Sequence, residues 1–538
     1  IYDEFITKQK TNFSYIDVKD CYESFPYDKD VASKIDVKQL IADLKDAHTV
    51  YSSDCFTSFY FYTNMTFYSV INDGKQIIKV FNDTTDQSNI DCEVTHIDGQ
   101  EAYQVIYEFA KDSVYASKDL GVRFNIALDL TFLTFSFALR NKIPVNPDIT
   151  YTLKCDGNNE FHIKRNWNAF STSTVLNRFN DSKTYYENIC NPTKIPMSSK
   201  LELQEITKTF NGANRILAEQ DLSVTIVRIV DNFVGFFKQQ DIGIIKIITE
   251  DPHTLNITEL VQGFNELANT GVKKVVLDFS DNGGGKYDVV LFINLLLFPD
   301  TYPTFDFDTR LSEQMRLAIA EQFKVANPNP DNIFDLREFD NAKTHVNFTS
   351  IDDFFGKNVY IRGGVTGNYS NKYAKSSITF NKIRKIIQTN LISPLPWKPE
   401  DYIILTNGLC GSSCSHIAEH AAEFNNVTTV AVGGIVHNPL LSYSSFPGGF
   451  VYNTSEILDS LGQLNLLNNT LIPKPFPLTG MDLTFPLNEM YSKLHPDEIS
   501  EFAFRPADFR LCYDQNNVRN ISLLWSQAAA LIGSKPKS

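Results

Sequence analysis

The hydrophobic positions near the start of the chain follow the period of a helix. Within 36–49 the apolar residues recur at the i, i+3, i+4, i+7 spacing of an amphipathic helix, at Val37, Leu40, Ile41 and Leu44. His48 follows this helix directly. From about 50 to 160 the pattern changes to aromatic and β-branched residues, and Asn-Asp-Gly at 72–74 marks a hairpin turn. These periods predict an N-terminal helical segment (1–50) and a β-rich region (51–235).

A further change of period lies within the β-rich region. The stretch "CEVTHIDGQEAYQVIYEFAKDS" (92–113) gives a short strand, a turn at Asp98 and Gly99, and then a helix. One face of this helix is apolar, with Ala102, Val105, Ile106 and Phe109. The order of strand, turn and helix resembles PDZ-like modules, which hold extended peptides beside a sheet edge. We therefore expect a PDZ-like module in this region.

From about 240 onward, continuous apolar strands alternate with helices. We expect strands in 242–249, 273–279, 401–407 and 427–434, and helices around 258–270, around 287–297 and from about 412. Apolar strands separated by helices are typical of an α/β layer with a mostly parallel sheet, because helices cover both faces of such a sheet. The pattern predicts a core in two parts (236–300 and 401–538), interrupted by a polar, Asn-rich surface insertion (301–400).

Length and charge narrow the class of protein. The 538 residues exceed one compact core and suggest roughly two to four domains. A net charge of −15 and a pI near 5.1 disfavour nucleic acid and an anionic membrane surface as partners, since both would meet a repulsive field. The longest apolar run, 289–298, is shorter than the roughly twenty residues that span a bilayer, and it predicts a buried helix. We interpret the opening "IYDEF" as the product of signal-peptide cleavage.

Cysteines and glycosylation sequons indicate the secretory pathway. The chain has eight cysteines, an even number, and Asn-X-Ser/Thr sequons recur along its whole length. The glycosylation candidates are Asn64, Asn256, Asn347, Asn368, Asn426 and Asn453. Disulfides persist in oxidising compartments. We therefore expect a secreted glycoprotein with disulfide bonds, located outside the cell or in a lysosome-like lumen.

The first candidate for chemistry is the glycine-rich stretch "VVLDFSDNGGGKYD" (275–288). An apolar strand runs into three glycines and then a helix, which leaves backbone amides free to hold an anion or an oxyanion. The simpler alternative is a flexible strand-to-helix turn. A phosphate site fits less well, because the stretch lacks both a Gly-Lys-Ser/Thr ending and the three-glycine dinucleotide spacing.

The second candidate is "TNGLCGSSCSHIAEH" (406–420), which holds a serine between two cysteines. A buried strand precedes it, so Ser412 falls where a sheet edge meets a helix N-terminus. There the helix dipole and free amides can support a developing negative charge. A serine nucleophile needs a base, and His48 can serve if folding brings the two side chains together.

Several pieces of sequence occur in the order found in the C-terminal-processing (tail-specific) serine peptidases. These are "DAHT" (46–49), "HIDGQEA" (96–102), the glycine-rich stretch and the segment 405–434. The chain looks most similar to the branch related to the chlamydial protease-like activity factor, which "FPGGFVY" (446–452) and "PADFRL" (506–511) also resemble. The resemblance covers about residues 35 to 515. It implies an α/β fold with a crotonase/ClpP-like peptidase core, a β-rich PDZ-like region and a helical N-terminal segment.

The same resemblance implies the catalytic roles. Ser412 would be the nucleophile and His48 the general base, and the amides of Gly284, Gly285 and Ser413 would form the oxyanion hole. The reaction would be hydrolysis of peptide bonds through an acyl-enzyme, with a protein or peptide as substrate and no cofactor. Related enzymes form dimers, so the resemblance also allows a homodimer.

The third member of the triad is open. Many tail-specific peptidases use a lysine downstream of the serine, but this chain has no lysine between Lys398 and Lys474, which leaves His48 as the base. The related branch supplies a glutamate near the C-terminus, where this sequence has Arg505. The neighbouring candidates are Glu501 and Asp508, and we prefer Glu501.

Two other interpretations compete for the 406–420 stretch. "HIAEH" (416–420) matches the H-x-x-E-H pattern of zinc peptidases, with Glu498 as a further ligand. We favour the serine and predict no metal, because the strand, turn and helix already explain the motif. A non-enzyme is the other alternative: a secreted, peptidase-like binding protein that keeps a peptide groove but has lost turnover, as the missing glutamate suggests.

Cysteines flank the candidate nucleophile. Cys410 and Cys414 lie two residues before and after Ser412. In an oxidising compartment such residues are usually bridged, and Cys512 is a further candidate partner. A disulfide here would stiffen the turn of the nucleophile.

Overall fold

The structure is a computed structural model of the chain. It describes residues 13–14, 40–129, 135–155, 159–171, 173–191, 223–231, 233–252, 255–303, 305–327, 329, 331–474 and 481–534. Of the predicted helix in 36–49, residues 36–39, including Val37, lie outside these ranges. Residues 40–42 are helical, but Leu40 and Leu44 are exposed. The apolar stripe predicted there is therefore not buried at these two positions.

The first part of the chain is rich in strands, as predicted. Its strands are β1 (Phe13–Ser14), β2 (Val50–Ser53), β3 (Tyr60–Tyr62), β4 (Met65–Asn72), β5 (Lys75–Asp83), β6 (Glu93–Ile97), β7 (Gln100–Glu101), β8 (Leu139–Arg140), β9 (Asp148–Lys154), β10 (Phe161–Asn166) and β11 (Asn168–Phe170). Its helices are α1 (Asp54–Thr57), α2 (Ala102–Asp112), α3 (Leu120–Leu128), α4 (Ser173–Leu176) and α5 (Ser182–Tyr185). One sheet has the order β10-β9-β6-β5-β4 with β7 beside β6, and another has the order β1-β11-β3-β8.

Local sequence signals explain the elements of this part. The predicted hairpin joins β4 to β5, and both Asp73 and Gly74 have positive φ, as two-residue hairpin turns require. The predicted strand, turn and helix at 92–113 are β6 and α2. Ala102 and Ile106 of α2 are buried in the apolar core beneath the sheet. The predicted strand, turn and helix are therefore present.

Two disulfides lie within the β-rich part. Cys55 pairs with Cys190, and Cys92 pairs with Cys155. Each bridge joins segments that are distant in sequence, 135 and 63 residues apart. Such cross-links restrict the unfolded chain and stabilise the folded one.

The remaining strands and helices belong to the second half of the chain. The strands are β12 (Val224–Val230), β13 (Val234–Gln239), β14 (Ile242–Ile247), β15 (Lys274–Asp278), β16 (Phe305–Asp308), β17 (Phe339–Asn341), β18 (Asn358–Arg362), β19 (Val365–Tyr369), β20 (Tyr373–Lys375), β21 (Tyr402–Thr406), β22 (Thr428–Val432), β23 (Val451–Asn453), β24 (Met481–Pro486), β25 (Glu489–Ser492) and β26 (Phe509–Leu511). The helices are α6 (Ile257–Asn269), α7 (Tyr287–Leu297), α8 (Glu313–Phe323), α9 (Ile351–Phe355), α10 (Ser377–Asn390), α11 (Ser413–Glu419), α12 (Thr454–Gln463) and α13 (Ile521–Ala529).

A seven-stranded sheet forms the centre of this half. Its order is β12-β13-β14-β15-β21-β22-β26. The pairs from β14 to β26 are parallel, and β12 and β13 add an antiparallel edge. The predicted strands and helices of the α/β core are all present, and the apolar run 289–298 is the buried helix α7. The sheet begins at Val224, before the predicted start of the core at 236.

Both faces of the sheet are buried, which explains the continuous apolar strands. Val275 and Leu277 of β15 pack into one cluster, and Val276 between them packs into the opposite one. Ile404 and Ile403 of β21 divide in the same way. Successive side chains of a strand point to opposite faces, so a sheet covered on both sides needs apolar residues at every position.

The predicted insertion contributes to a buried core shared with the C-terminal part, which the expectation of a polar surface segment did not include. Its strands β16, β17 and β20 form a four-stranded sheet with β25 from the C-terminal part. Phe305, Phe307, Phe354 and Tyr373 are buried together in it. The average composition of the insertion is polar, but its aromatic residues are spaced so that they meet.

A small sheet joins the start of the described chain to its C-terminal part. β2 pairs antiparallel with β24, and β24 pairs antiparallel with β23. Val50 lies opposite Thr484, and Asn453 lies opposite the same residue from the other side. The segment that carries His48 is therefore held against the segment that follows Gly449.

Within the described residues, no helix is both long and apolar enough to cross a membrane.

The central sheet depends on a charged residue that Trp525 helps to bury. Asp278, at the end of β15, is fully buried and accepts hydrogen bonds from Trp525 Nε1 (2.8 Å) and Lys246 Nζ (3.0 Å). We expect Trp525→Phe to lower the free energy of unfolding by about 2 kcal/mol, because hydrogen bonds to charged groups contribute more than neutral ones. Urea unfolding followed by circular dichroism measures this change.

Trp397→Phe is the matched control. Trp397 is also buried, and its Nε1 donates to the neutral carbonyl of Val272 (2.9 Å). Its replacement should cost about 1 kcal/mol. An equal or larger loss in the control would contradict the role given to the Asp278 carboxylate.

Candidate active site

Ser412 lies at a strained turn between β21 and α11. Its backbone has φ 53° and ψ −127°, which is unusual for a residue other than glycine. The turn is held from both sides: Gly411 N donates to Asn282 O (2.9 Å), and Ser412 N donates to Phe446 O (3.1 Å). The side chain stays half-exposed while Ser413 is buried. Strain that the surrounding structure maintains in this way is typical of functional sites.

A disulfide closes this turn. Cys410 pairs with Cys414, on either side of Ser412. Cys512 is exposed and is not bonded to any cysteine of the described ranges, so it is not the partner of either. The bridge ties the end of β21 to the first turn of α11 and so limits the movement of the serine.

The glycine-rich stretch lies directly against the serine. A Cβ added to Gly284 would be 2.5 Å from Ser412 Cβ and 3.0 Å from Ser413 N. Gly284 also has a φ of +102°, which side chains rarely adopt. Only glycine fits at this contact.

One of the three amides predicted for the oxyanion hole is already used. Gly284 N donates to Asn282 Oδ1 (2.8 Å), so it is not free to bind an oxyanion in this structure. The amides of Gly285 and Ser413 have no acceptor among the described residues. The side chain of Asn282 competes for the first amide, and a pattern of glycines could not reveal this.

A buried carboxylate joins the glycine turn to the serine turn. Glu250 is completely buried, and its Oε1 accepts from Asn282 Nδ2 (2.8 Å) while its Oε2 accepts from Ser413 Oγ (3.1 Å). Its backbone also pairs with Gly284 and Lys286. Burial raises the pKa of Glu250 to about 7, against the opposing effect of the two hydrogen bonds. Sequence analysis missed this residue, since it lies at a strand end without any motif.

His48 reaches the same neighbourhood from the start of the chain. Its ring meets the Phe446 ring edge-on, with 5.3 Å between centroids, and a Cβ on Gly448 would lie 2.4 Å from its Nδ1. The Phe446 ring also covers Gly411, where a Cβ would lie 1.9 Å from it. His48 and Ser412 therefore both border the segment 446–448, although the two residues are 364 positions apart in sequence.

The imidazole makes no hydrogen bond in this state. Both ring nitrogens of His48 are buried, and neither has a partner in the described part of the chain. Burial lowers the pKa of His48; Asp46 acts against this effect and Lys118 reinforces it. The ring is thus neutral near pH 7, the form that a general base requires.

One carboxylate lies beside this ring, and it was not expected, whereas the preferred candidate Glu501 contacts Lys118. Asp46 Oδ1 is 3.9 Å from His48 Nδ1, and it accepts from the backbone N–H of His48 (2.8 Å). Glu501 forms an ion pair with Lys118. Burial and the charge of Asp46 raise the pKa of Glu501 to about 7, while Lys118 and the backbone of Gly448 lower it. Asp46 could have been found in "DAHT", because an aspartate two residues before a histidine can form this local turn.

The other candidate acid, Asp508, has a structural role. Its Oδ2 accepts from Thr429 N (2.9 Å) and Thr429 Oγ1 (3.1 Å), at the junction of β22 and β26. Arg505, found where the related branch has a glutamate, binds two other carboxylates: its Nε lies 2.8 Å from Glu423 and 3.6 Å from Glu419.

The histidines of "HIAEH" are buried in separate surroundings. His416 shares a hydrogen bond with Pro447 O (2.7 Å), and His420 shares one with Asn294 Oδ1 (3.1 Å). Burial lowers their pKa values to about 4 and about 3. Glu419 is also buried, which raises its pKa to about 8, and Glu498 is exposed.

These positions give no support to the zinc alternative. No group of three or more potential ligands that could hold a metal occurs among the residues with described positions. Both histidines are buried, which fits a role in packing.

The candidate glycosylation sites differ in their surroundings. Asn368, Asn426 and Asn256 are exposed, while Asn64, Asn347 and Asn453 are partly buried. Asn347 Nδ2 donates to Arg337 O (3.2 Å) and Phe339 O (3.0 Å), and a glycan on this nitrogen would disrupt these bonds. The exposed sites fit a glycan better.

Comparison with known structures identifies the fold. Mature CPAF complexed with lactacystin matches with a TM-score of 0.50 and 13% identity over 92% of this chain and 87% of that one. Mature CPAF alone matches with a TM-score of 0.52 and 12% identity over 98% and 95%. No family model matches the chain, and no curated protein does. At this identity the similarity concerns the fold, and at that level it confirms the predicted resemblance to the CPAF-like branch.

The buried carboxyl of Glu250 makes a prediction about stability. Its pKa in the folded protein lies above the ordinary value of 4.5, so the folded state holds the proton more tightly than the unfolded one. The free energy of unfolding should therefore fall as the pH rises from about 4.5 to about 7, by about 3 kcal/mol from this group. Glu250→Gln should remove this part of the slope in urea unfolding measured at several pH values.

Glu400→Gln serves as its control, since Glu400 is exposed on the surface. Its pH profile should match that of the parent chain. If Glu250→Gln keeps the full slope between pH 4.5 and 7, the carboxyl of Glu250 is not the group responsible.

Proposed function

We propose that this chain is a secreted serine endopeptidase that uses Ser412 as nucleophile and His48 as general base. The observation that carries the proposal is spatial: a hydroxyl on a strained, disulfide-closed turn and an imidazole from the start of the chain border the same segment, 446–448. A glycine loop with free amides lies against that turn. These are the groups that acyl transfer requires.

The chemistry follows from these groups. Neutral His48 accepts the proton of Ser412 Oγ as the oxygen attacks the peptide carbonyl. The imidazolium then gives its proton to the leaving amine, and an acyl-enzyme forms. In the second half-reaction His48 takes a proton from the water that attacks the ester. It then gives this proton to Ser412 Oγ as the ester bond breaks, which releases the acid and the free serine.

The oxyanion would bind at the amides of Gly285 and Ser413. Each such donor stabilises the transition state by roughly 3 kcal/mol. Gly284 would contribute contact with the turn rather than a free amide. Glu250 would hold both turns in register through Asn282 and Ser413 Oγ.

The wider setting is part of the same proposal. A crotonase/ClpP-like core would carry the nucleophile, and the β4–β10 sheet with α2 would act as a PDZ-like module for an extended peptide. The three disulfides and exposed sequons fit secretion and glycosylation. A homodimer is compatible with the proposal, and no cofactor is required by the chemistry.

A fluorophosphonate probe tests the nucleophile. The folded protein should form a covalent adduct on the peptide that contains Ser412, detected by mass spectrometry, and Ser412→Ala should form none. Protein unfolded and reduced beforehand should not react, because the activation depends on the fold. Labelling elsewhere, or undiminished labelling of Ser412→Ala, would remove Ser412 from the mechanism.

A matched pair of histidine variants tests the base. His48→Ala should lower the rate of labelling by roughly 10⁴-fold, in line with the loss of a triad base. His437→Ala is the control, because His437 is exposed and lies outside the site. Equal rates for the two variants would exclude His48 as the base.

The same experiment decides the second candidate function. The unpaired ring nitrogens of His48 favour a peptidase-like binding protein without turnover. Such a protein would show no labelling in either the parent chain or its variants. In a serine peptidase, a chelator should leave both the labelling of Ser412 and peptide cleavage unchanged. A zinc peptidase would lose its peptide cleavage.

The third catalytic residue is tested by two isosteric changes. The negative charge of Asp46 raises the pKa of His48, so Asp46→Asn should shift the acid limb of the pH–rate profile to lower pH. It should also reduce kcat by at least about tenfold, because the carboxylate stabilises the imidazolium. Glu501→Gln should leave that limb in place. The reverse outcome, a collapse of activity in Glu501→Gln alone, would assign the role to Glu501.

A further inference from the structure

We propose that a cavity beside the candidate active site binds a large apolar or aromatic side chain of the peptide substrate, an inference that rests on the proposed function. The cavity lies between the insertion and the 446–452 segment and has a volume of about 450 Å³, in the range of small-ligand pockets. Its walls carry six aromatic residues: Phe334, Phe339, Phe354, Tyr373, Phe450 and Tyr452.

The segment 446–452 links the cavity to the site. Gly448 contacts His48, and Phe450, two residues later, is part of the cavity wall. An extended chain rises about 3.3 Å per residue, which puts these two positions only about 7 Å apart. A substrate whose scissile bond lies beside His48 can therefore place a neighbouring side chain in the cavity.

A second connection runs to the glycine loop. The Phe450 ring is 5.5 Å from the ring of Tyr287, which follows Gly285 by two residues. Lys375, another wall residue, lies with its Nζ 3.8 Å from Asp288 Oδ1. The cavity thus borders both the segment that contacts the base and the loop that carries the oxyanion amides.

The polar groups in its interior are already satisfied. Tyr373 Oη shares a hydrogen bond with Thr309 Oγ1 (2.8 Å) and accepts one from Asn488 Nδ2 (2.8 Å). Asn488 Oδ1 accepts from Phe450 N (2.6 Å). A polar side chain entering the cavity would lose its bonds to water without gaining new partners, whereas an apolar one loses nothing.

The charges at the rim disfavour an acidic occupant. Lys375 Nζ is paired with Glu338 (2.6 Å), and Arg337 Nε is paired with Asp335 (2.9 Å). Asp331 is a further exposed carboxylate of the wall. The wall therefore carries three carboxylates and two cations, and both cations are already neutralised.

The test compares two tryptophan substitutions on helix α8. Met315 is part of the cavity wall and half-buried, while Gln314 beside it is exposed and outside the cavity. Met315→Trp should fill the cavity, and Gln314→Trp adds the same side chain elsewhere. Thermal unfolding establishes that each variant is folded. Met315→Ala, which enlarges the cavity, serves as a second variant if the larger side chain prevents folding.

Binding is measured in the Ser412→Ala background, where turnover plays no part. The probes are N-acetyl-phenylalaninamide, N-acetyl-tryptophanamide, N-acetyl-alaninamide and N-acetyl-aspartamide. Their binding is measured by ligand-observed NMR titration. We expect the phenylalanine probe to bind at least tenfold more tightly than the alanine probe, a typical contribution of an apolar pocket. Met315→Trp should reduce this ratio at least fivefold, Gln314→Trp should keep it, and Met315→Ala should shift preference toward tryptophan.

Cleavage specificity gives the second readout. Digestion of a peptide library with Ser412 intact should show large apolar residues enriched within two positions of the cut, and Met315→Trp should lose this enrichment. Fluorophosphonate labelling of Ser412 should be the same in all three variants, since the small probe does not use the cavity.

The outcomes separate the two proposals. Probe binding that responds to Met315 without any fluorophosphonate labelling would keep the cavity and overturn the peptidase. Labelling of Ser412 with no apolar preference, or with a preference that Met315→Trp and Met315→Ala leave unchanged, would overturn the cavity alone. Absence of both the labelling of Ser412 and the apolar preference would overturn both the peptidase and the cavity proposals.

Discussion

The site depends on one small piece of β-structure, the pairing of β2 with β24 and of β24 with β23. These strands join the residues after His48 to the residues after Gly449, far apart in sequence. Closing so long a loop costs conformational entropy, which grows only slowly with length. The backbone hydrogen bonds of two strand pairs, together with the packing of His48 on Phe446 and Gly448, offset this cost. Without this pairing the imidazole would have no fixed position relative to Ser412.

Burial of carboxyl groups is the second constraint, and it is concentrated around the candidate active site. Glu250, Glu419 and Glu501 are each buried enough to hold a proton at a pH where an exposed glutamate would be ionised. Arg505 and Lys118 stabilise part of this acidic group. Buried ion pairs contribute little net stability, but they fix the orientation of the elements that they join. The buried ion pairs near Ser412 therefore orient the surrounding elements more than they stabilise the fold.

The sequence predicted those parts of the molecule that depend on local periodicity. The strands β14, β15, β21 and β22 and the buried helix α7 follow from continuous apolar runs, and the β4–β5 hairpin follows from Asn-Asp-Gly. The serine turn and its disulfide lie within a single stretch of sequence, so their proximity was also predictable. Pairings between distant residues were not predictable, because the partners share no local signal. The hydrogen bond of Glu250 with Ser413 and the ion pair of Lys118 with Glu501 belong to this group. The core of the insertion was missed because its aromatic residues are scattered among polar ones.

The imidazole of His48 lacks hydrogen-bond partners among the described residues. An imidazole with both nitrogens buried and unpaired is costly, since each lost its bond to water on folding. A hydrogen bond to Ser412 Oγ would restore one partner, and closer approach of a carboxylate to Nδ1 would restore the other. Both changes would lower the free energy of the ring, and both would bring together the proposed catalytic groups. Catalytic hydrogen bonds often tighten only when substrate is bound. The cost of the unpaired ring therefore favours such a rearrangement. The segment 446–452 contacts His48 and the Ser412 turn and contributes Phe450 and Tyr452 to the cavity wall, so in the proposed mechanism a bound peptide would act through it.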